Sequence, residues 1–183
     1  MAAQGTVGAP AGAVAGKAGS KEAPKTMDSA AVSRRLQQEL MQLMMSGEKG
    51  LSAFPCGDNI MDWTGTIEGA EGTPYAGQKY KLELQFSAEY PFKPPNVRFA
   101  TPCYHPNVDW ASGTICLDIL RDQSTGGQWS AAYSVKTVLV SIQSLLGDPN
   151  PASPLNAEAA RLWDNVEDYT RVVAGKYARA ADK

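Results

Sequence analysis

Apolar side chains along this chain recur with two periods, and the chain changes element where the period changes. Val32, Leu36, Leu40, Leu43 and Met44 line one face at helical spacing, the pattern of an amphipathic helix. Asp28 and Ser29 are suitable caps for its start, and Gly47 stops the run. Arg34 and Arg35 lie beside this stripe. The period then shortens to two. Trp63 to Ile67 alternate into one strand, Tyr80, Leu82, Leu84 and Phe86 into a second, and Val97 with Phe99 marks a third. Between the last two stands Tyr90-Pro91-Phe92-Lys93-Pro94-Pro95. Its prolines remove backbone donors and fix φ, which predicts a rigid, exposed turn. From Ser134 to Leu146 the helical period returns, with Val135, Val138, Leu139, Ile142, Leu145 and Leu146 on one face and Gly147 at the end. Asp148-Pro149-Asn150-Pro151 forces a loop. Two further helices are predicted, Leu155–Trp163 and Val166–Ala178, the second capped by Asn165. Strands grouped in the middle with helices at both ends describe an α+β fold.

Composition changes this picture at the N-terminus. Residues 1–27 are mostly Ala, Gly, Pro, Lys and Ser, too poor in apolar surface to offset the entropy of ordering. They are expected to form a disordered extension ahead of one domain at 28–183. The whole chain, 183 residues with 43% apolar and 20% charged side chains, falls in the soluble globular class. A formal net charge of −2 gives no pull toward nucleic acid or an anionic membrane, so neither is an expected partner. No apolar run approaches the roughly 20 residues of a membrane span, and the first residues lack an apolar signal core. Cys56, Cys103 and Cys116 are widely spaced, with no CxxC pair. That argues against a zinc site and a disulfide framework, so no metal is expected. Reduced thiols predict a cytoplasmic and nuclear protein.

Candidate chemistry concentrates in Tyr104 to Leu120, YHPNVDWASGTICLDIL. The chain's single histidine, His105, stands two residues before Asn107, and Cys116 follows nine residues after that asparagine. A thiol and a carboxamide without a second histidine suit a cysteine that carries an acyl group. They suit less well a cysteine that an imidazole must activate.

The run resembles the active-site loop of ubiquitin-conjugating enzymes, whose signature is His-Pro-Asn followed by an Ile-Cys-Leu segment. The likeness covers residues 28 to about 180. Tyr90-Pro-Phe-Lys-Pro-Pro95, His105-Pro-Asn107, Ile115-Cys-Leu117, Trp129-Ser130, Asp148-Pro-Asn150 and Ser153-Pro-Leu155 occur in family order. Within the family the chain resembles most the cyclin-selective type that serves the anaphase-promoting complex. Arg35-Leu-Gln-Gln-Glu-Leu40, Met44-Met-Ser-Gly47, Ser52-Ala-Phe-Pro55, Thr101 to Asp109 and Ser141 to Leu146 carry that finer likeness.

The resemblance implies an N-terminal helix, an antiparallel meander of about four strands and C-terminal helices. It implies an acyltransferase that accepts ubiquitin as a thioester on Cys116 and passes it to substrate lysines in mitotic protein degradation. Its partners would be ubiquitin, the activating enzyme and a RING-type ligase, the anaphase-promoting complex foremost. ATP would be consumed by the activating enzyme, and no cofactor is expected here; no phosphate-cradling Gly-rich motif is present. Asn107 would donate to the oxyanion or hold the loop in shape. His105 and Pro106 would be structural. Tyr104, Leu117 and the loop at Ser153 would wall the crevice and lower the attacking lysine's pKa by desolvation. Many members carry aspartate at the Ser153 position; the cyclin-selective type does not. Arg34 and Arg35 would meet the activating enzyme and ligase. Pro91, Phe92, Ser130 and Ala131 would dock the ligase, Val140 and Ser144 the donor ubiquitin, and Ser52 a second ubiquitin. Cys56 and Cys103 match no catalytic position.

Two departures stand out. Asp109-Trp-Ala-Ser-Gly113 carries one residue more than is usual between the asparagine and the cysteine, so either the loop bulges or the asparagine shifts. Ser124-Thr-Gly-Gly-Gln128 separates Asp122 from Trp129 and, being polar and Gly-rich, is predicted to loop out. The extra residue keeps a second reading open, a ubiquitin-binding module of the same fold with impaired catalysis. A cysteine protease would have to recruit His105 across an awkwardly short tether.

Overall fold

The structure is a computed structural model, and it describes residues 28–181. The predicted extension at 1–27 lies outside them. Helix α1, Ser29–Met45, starts where the Asp28 carboxylate accepts from the Ala30 amide at 3.4 Å. It ends at Ser46, whose amide and hydroxyl both donate to the Leu43 carbonyl. Val32, Leu36 and Leu43 are buried as their spacing predicts; the fourth buried residue is Glu39.

Four antiparallel strands follow in chain order as one meander: β1 Leu51–Cys56, β2 Asn59–Glu68, β3 Lys79–Gln85 and β4 Asn96–Phe99. Three of them follow the predicted alternation. Strand β1 had no such signal. It lies at the sheet edge, only Ala53 in it is buried, and Pro55 interrupts it beside a register shift. An edge strand tolerates a proline because one side of its backbone has no partner to lose.

Helix α2, Val135–Gly147, lies across the sheet. A side chain at Gly65 would come within 3.2 Å of Leu139 and 3.1 Å of Leu84, so the glycine lets helix and strand approach. Ser134 caps α2 and exchanges hydrogen bonds with Thr137 in a capping box. Trp63, Ile67, Leu82, Leu84, Leu139, Ile142 and Leu146 make the fully covered centre of the core. Each such side chain contributes roughly 1.5–3 kcal/mol by leaving water. Helices α3, Ala157–Leu162, and α4, Val166–Ala181, complete the chain; Asn156 caps the first. Asn165 accepts from the Asp168 amide at 3.2 Å, the predicted cap of the second. Among the described residues no helix is long and apolar enough to cross a membrane.

Candidate active site

The irregular segment after β4 carries the chemistry. Backbone bridges fold it into a narrow ladder. The Cys116 amide donates to the Asn107 carbonyl at 2.9 Å, Val108 bridges Ile115, and the Asp109 amide donates to the Thr114 carbonyl at 2.9 Å. Cys116 is therefore fixed directly opposite Asn107. It is partly exposed, between buried Ile115 and half-buried Leu117.

Asn107 itself is fully buried. Its amide nitrogen donates to the carbonyls of Asn150 at 2.7 Å and Ser153 at 2.9 Å, and its oxygen accepts from the Asn150 amide at 2.8 Å. Both amide hydrogens are thus committed to the 150–153 loop. Pro106 adds to the same clasp, its carbonyl accepting from the amides of Leu155 and Asn156. The geometry is that of a pin holding the 150–156 segment against the 105–107 segment, which pairs with Cys116.

His105 is also fully buried. Its Nδ1 accepts from the Asn107 amide at 3.0 Å, which requires the hydrogen on Nε2; that nitrogen donates to the Leu145 carbonyl at 2.8 Å. Burial drives its pKa down to about 4, so the ring is neutral at pH 7 with both nitrogens occupied. A general base needs a free lone pair within reach of a proton. This imidazole has none.

Of the predicted wall, Ser153 is exposed and Leu117 half-buried, while Tyr104 is only 2% exposed. Its carbonyl accepts from the hydroxyls of Tyr75 and Tyr169, and its ring packs 5.7 Å from Tyr169 and 6.3 Å from Trp110. Tyr104 therefore backs the loop rather than facing solvent. Cys103 is buried, and burial pushes its thiol pKa up, which makes it unreactive. Cys56 is exposed on β1 and lies 3.1 Å from the Thr64 hydroxyl. No cluster of metal-ligating side chains occurs among the described residues.

The added residue near Asp109 bulges. Asp109 accepts from the Ser112 amide at 2.8 Å and its hydroxyl at 2.6 Å, bonds that hold its carboxyl below the usual range. Gly113 closes the turn at φ +73°, where a Cβ would fall 2.1 Å from the Phe99 carbonyl oxygen. Asn107 lies opposite Cys116 across the ladder. The second addition loops out as predicted, with Ser124, Thr125, Gly126 and Gln128 exposed, and it is closed at its base by backbone bonds. Asp122 caps a short 3₁₀ turn, Gln123–Thr125, the Gln128 amide returns to the Asp118 carbonyl at 2.8 Å, and Gln123 donates to the Trp129 carbonyl at 2.8 Å.

The remaining predicted residues lie on three surfaces. Phe92 is 43% exposed, and with Ser130, Ala131, Trp129, Asp122 and Gln123 it borders a cleft of about 260 Å³. Pro91 is buried instead, its carbonyl accepting from the Trp129 indole at 2.7 Å, so only Phe92 of that pair is presented. Val140 and Ser144 are exposed one turn apart on the outer face of α2. Arg34 is exposed on α1, but Arg35 turns inward and donates to the carbonyls of Ala131 at 3.3 Å and Tyr133 at 3.0 Å.

Residues 35–176 match the family model described as ubiquitin-conjugating enzyme. The chain belongs to the ubiquitin-conjugating enzymes. It is also 51% identical, over 161 residues, to the fission yeast (Schizosaccharomyces pombe) ubiquitin-conjugating enzyme E2-20 kDa, a match covering 86% of this chain and 88% of that one. Membership implies ubiquitin, an activating enzyme and a ligase as partners. Glu39 is the residue that periodicity missed. It occupies a helical position four after Arg35, a spacing that reads as a solvated surface pair.

Proposed function

We propose that this ubiquitin-conjugating enzyme carries ubiquitin on Cys116 and delivers it to substrate lysines under the anaphase-promoting complex, in mitotic protein turnover, within cytoplasm and nucleus. The observation that carries the assignment of Cys116 is its fixed place opposite Asn107, partly open to solvent. In loading, the Cys116 thiolate attacks the ubiquitin carboxy-terminal carbonyl held as a thioester on the activating enzyme. A new C–S bond forms, the old one breaks, and the activating enzyme's thiolate leaves. The exchange replaces one thioester by another and needs no strong base. In delivery, a neutral lysine amine attacks the same carbonyl. The C–N bond forms, the Cys116 thiolate departs, and the ammonium proton is lost to solvent.

Asn107 acts here as a positioning residue. Its committed amide sets the distance between the cysteine strand and the 150–153 wall, against which the incoming lysine is desolvated. His105 fixes the backbone of Asn107. The cleft between Phe92 and Ala131 receives the ligase, an exposed aromatic on a rigid turn being a good anchor, and the Val140–Ser144 face meets the donor ubiquitin.

Activating enzyme, ATP and ubiquitin test the carrier reading on a nonreducing gel. A thiol-sensitive adduct is expected with the wild type and none with Cys116→Ala. An adduct of equal amount in Cys116→Ala would move the carrier thiol elsewhere, and none in either would favour a binding module. Addition of the anaphase-promoting complex with a cyclin fragment tests the finer assignment. Cyclin conjugation above the rate given by a generic RING ligase is expected.

A further inference from the structure

Glu39 is an acidic side chain placed inside the molecule, 4% exposed, midway along α1. Burying a carboxylate costs several kcal/mol unless donors replace its water, so the groups it meets define what it is for. Three donors converge on its two oxygens and come from three separate parts of the chain. Arg35 Nε donates from the preceding turn of α1. The Tyr90 hydroxyl lies 2.8 and 2.9 Å from the two oxygens, one residue before Pro91. The Val135 amide donates at 2.7 Å from the first residue of α2. Charge-assisted bonds of this kind are roughly twice as strong as neutral ones.

The network continues to the surface. Arg35, held by Glu39, donates to the carbonyls of Ala131 and Tyr133. Trp129 donates to the Pro91 carbonyl at 2.7 Å, and its ring lies 6.1 Å from Tyr90 and 5.8 Å from Tyr133. Glu39 therefore reaches both rims of the Phe92–Ala131 cleft, one through Tyr90, the other through Arg35 and Val135. Neither rim belongs to a regular element that would fix it otherwise.

We propose that Glu39 is the positioning residue of the ligase-facing cleft: from the interior it sets the separation and orientation of the 90–93 turn and the 130–134 loop. This rests on the reading of that cleft as the ligase surface. The consequence is a separation of functions. Loss of Glu39 should leave the Cys116–Asn107 ladder intact, because none of its bonds reach that segment, while disordering the surface through which a ligase accelerates delivery.

Glu39→Gln keeps the volume but presents an NH₂ to donors, and Tyr90→Phe removes a single hydroxyl from the same network while keeping the ring. In both, amide hydrogen exchange followed by mass spectrometry is expected to rise at least 10-fold in 90–93 and 130–134 and to stay unchanged in 105–118. Discharge of the loaded enzyme to free lysine, without ligase, is expected at the wild-type rate. Discharge stimulated by the RING module of the anaphase-promoting complex is expected to fall about 10-fold, through a higher half-saturating ligase concentration. Wild-type exchange in both loops in folded Glu39→Gln and Tyr90→Phe would overturn the proposal. Exchange that rises equally in 105–118 would overturn it too, since Glu39 would then be a general stabiliser. Loosened loops with unaltered ligase stimulation would leave the positioning role standing and overturn the ligase assignment of the cleft.

Discussion

At the scale of single residues, the site is organised by commitment of hydrogen bonds rather than by an activated base. Asn107 uses both amide hydrogens and its oxygen on the 150–153 loop, and His105 uses both ring nitrogens on backbone. Asn107→Ala removes the pin while leaving Cys116 in place. Its loading by activating enzyme should persist, because thioester exchange does not need the far wall. Its delivery to free lysine should fall on the order of 10²-fold, the cost of a misplaced reacting geometry. Single-turnover discharge of the loaded variant checks this; loading and delivery falling together would mean the ladder itself had collapsed. That His105, Asn107 and Cys116 come together was legible in the sequence, because they are crowded into one short run. Their roles were only half legible. A carboxamide near a thiol reads as oxyanion donor, as loop clasp or as both, and the sequence does not show the loop carbonyls that its amide meets. Glu39 was not legible at all, since its partners Tyr90 and Val135 are remote in sequence.

At the scale of elements, local chemistry accounts for what the sequence reveals and what it hides. Helices α1 and α2 announce themselves through apolar stripes and side-chain caps, and the predicted limits of α2 hold to within one residue. Strand β1 is hidden because an edge strand with one buried side chain shows no alternation. The exposure of the second insertion is legible in its composition, but the turn geometry of both is hidden because it follows from bonds to Asp109 and Asp122 that composition does not encode. Two measurements test these local accounts. Ser134→Ala deletes the hydroxyl that caps α2 and should lower the unfolding free energy by about 1 kcal/mol, read from the denaturant midpoint with an unchanged slope. Gly113→Ala is expected to be more damaging. Its φ of +73° disfavours any side chain, and the new methyl would collide with the Phe99 carbonyl 2.1 Å away. Strain of about 1–3 kcal/mol from the backbone adds to the clash. The turn would open, and because Asp109 and Thr114 continue the ladder that holds Cys116, delivery should decline along with stability. A Gly113→Ala enzyme as stable and active as the wild type would show that the turn is not coupled to the site.

At the scale of the whole molecule, one buried group links the site to global stability. His105 is the single histidine of the chain, which makes its contribution separable. Its pKa is about 4 when folded, lowered by burial from an ordinary 6.5. Above pH 6.5 the ring is neutral in both folded and unfolded chains, so this group adds no pH dependence there. Between 6.5 and 4 the unfolded chain binds a proton that the folded chain refuses. Stability should therefore fall as pH drops through that window, by a total of roughly 3 kcal/mol, and level off below it. Carboxylates with ordinary pKa values remain largely ionised down to about pH 5, so the upper half of the window reports mainly on the histidine. Urea midpoints at pH 7.5, 6.5, 5.8 and 5.2 should decline in the wild type. In His105→Gln, which offers an amide of similar size and no titration, that decline should flatten even where the variant is less stable throughout. Protonation would break the bond that fixes the Asn107 backbone, but in the folded chain it sets in only near pH 4, so across this window the folded wild type and His105→Gln should show the same pH dependence of lysine delivery. A wild-type midpoint independent of pH from 7.5 to 5.2 would mean that the imidazole reaches solvent and is not the neutral strut on which the ladder depends.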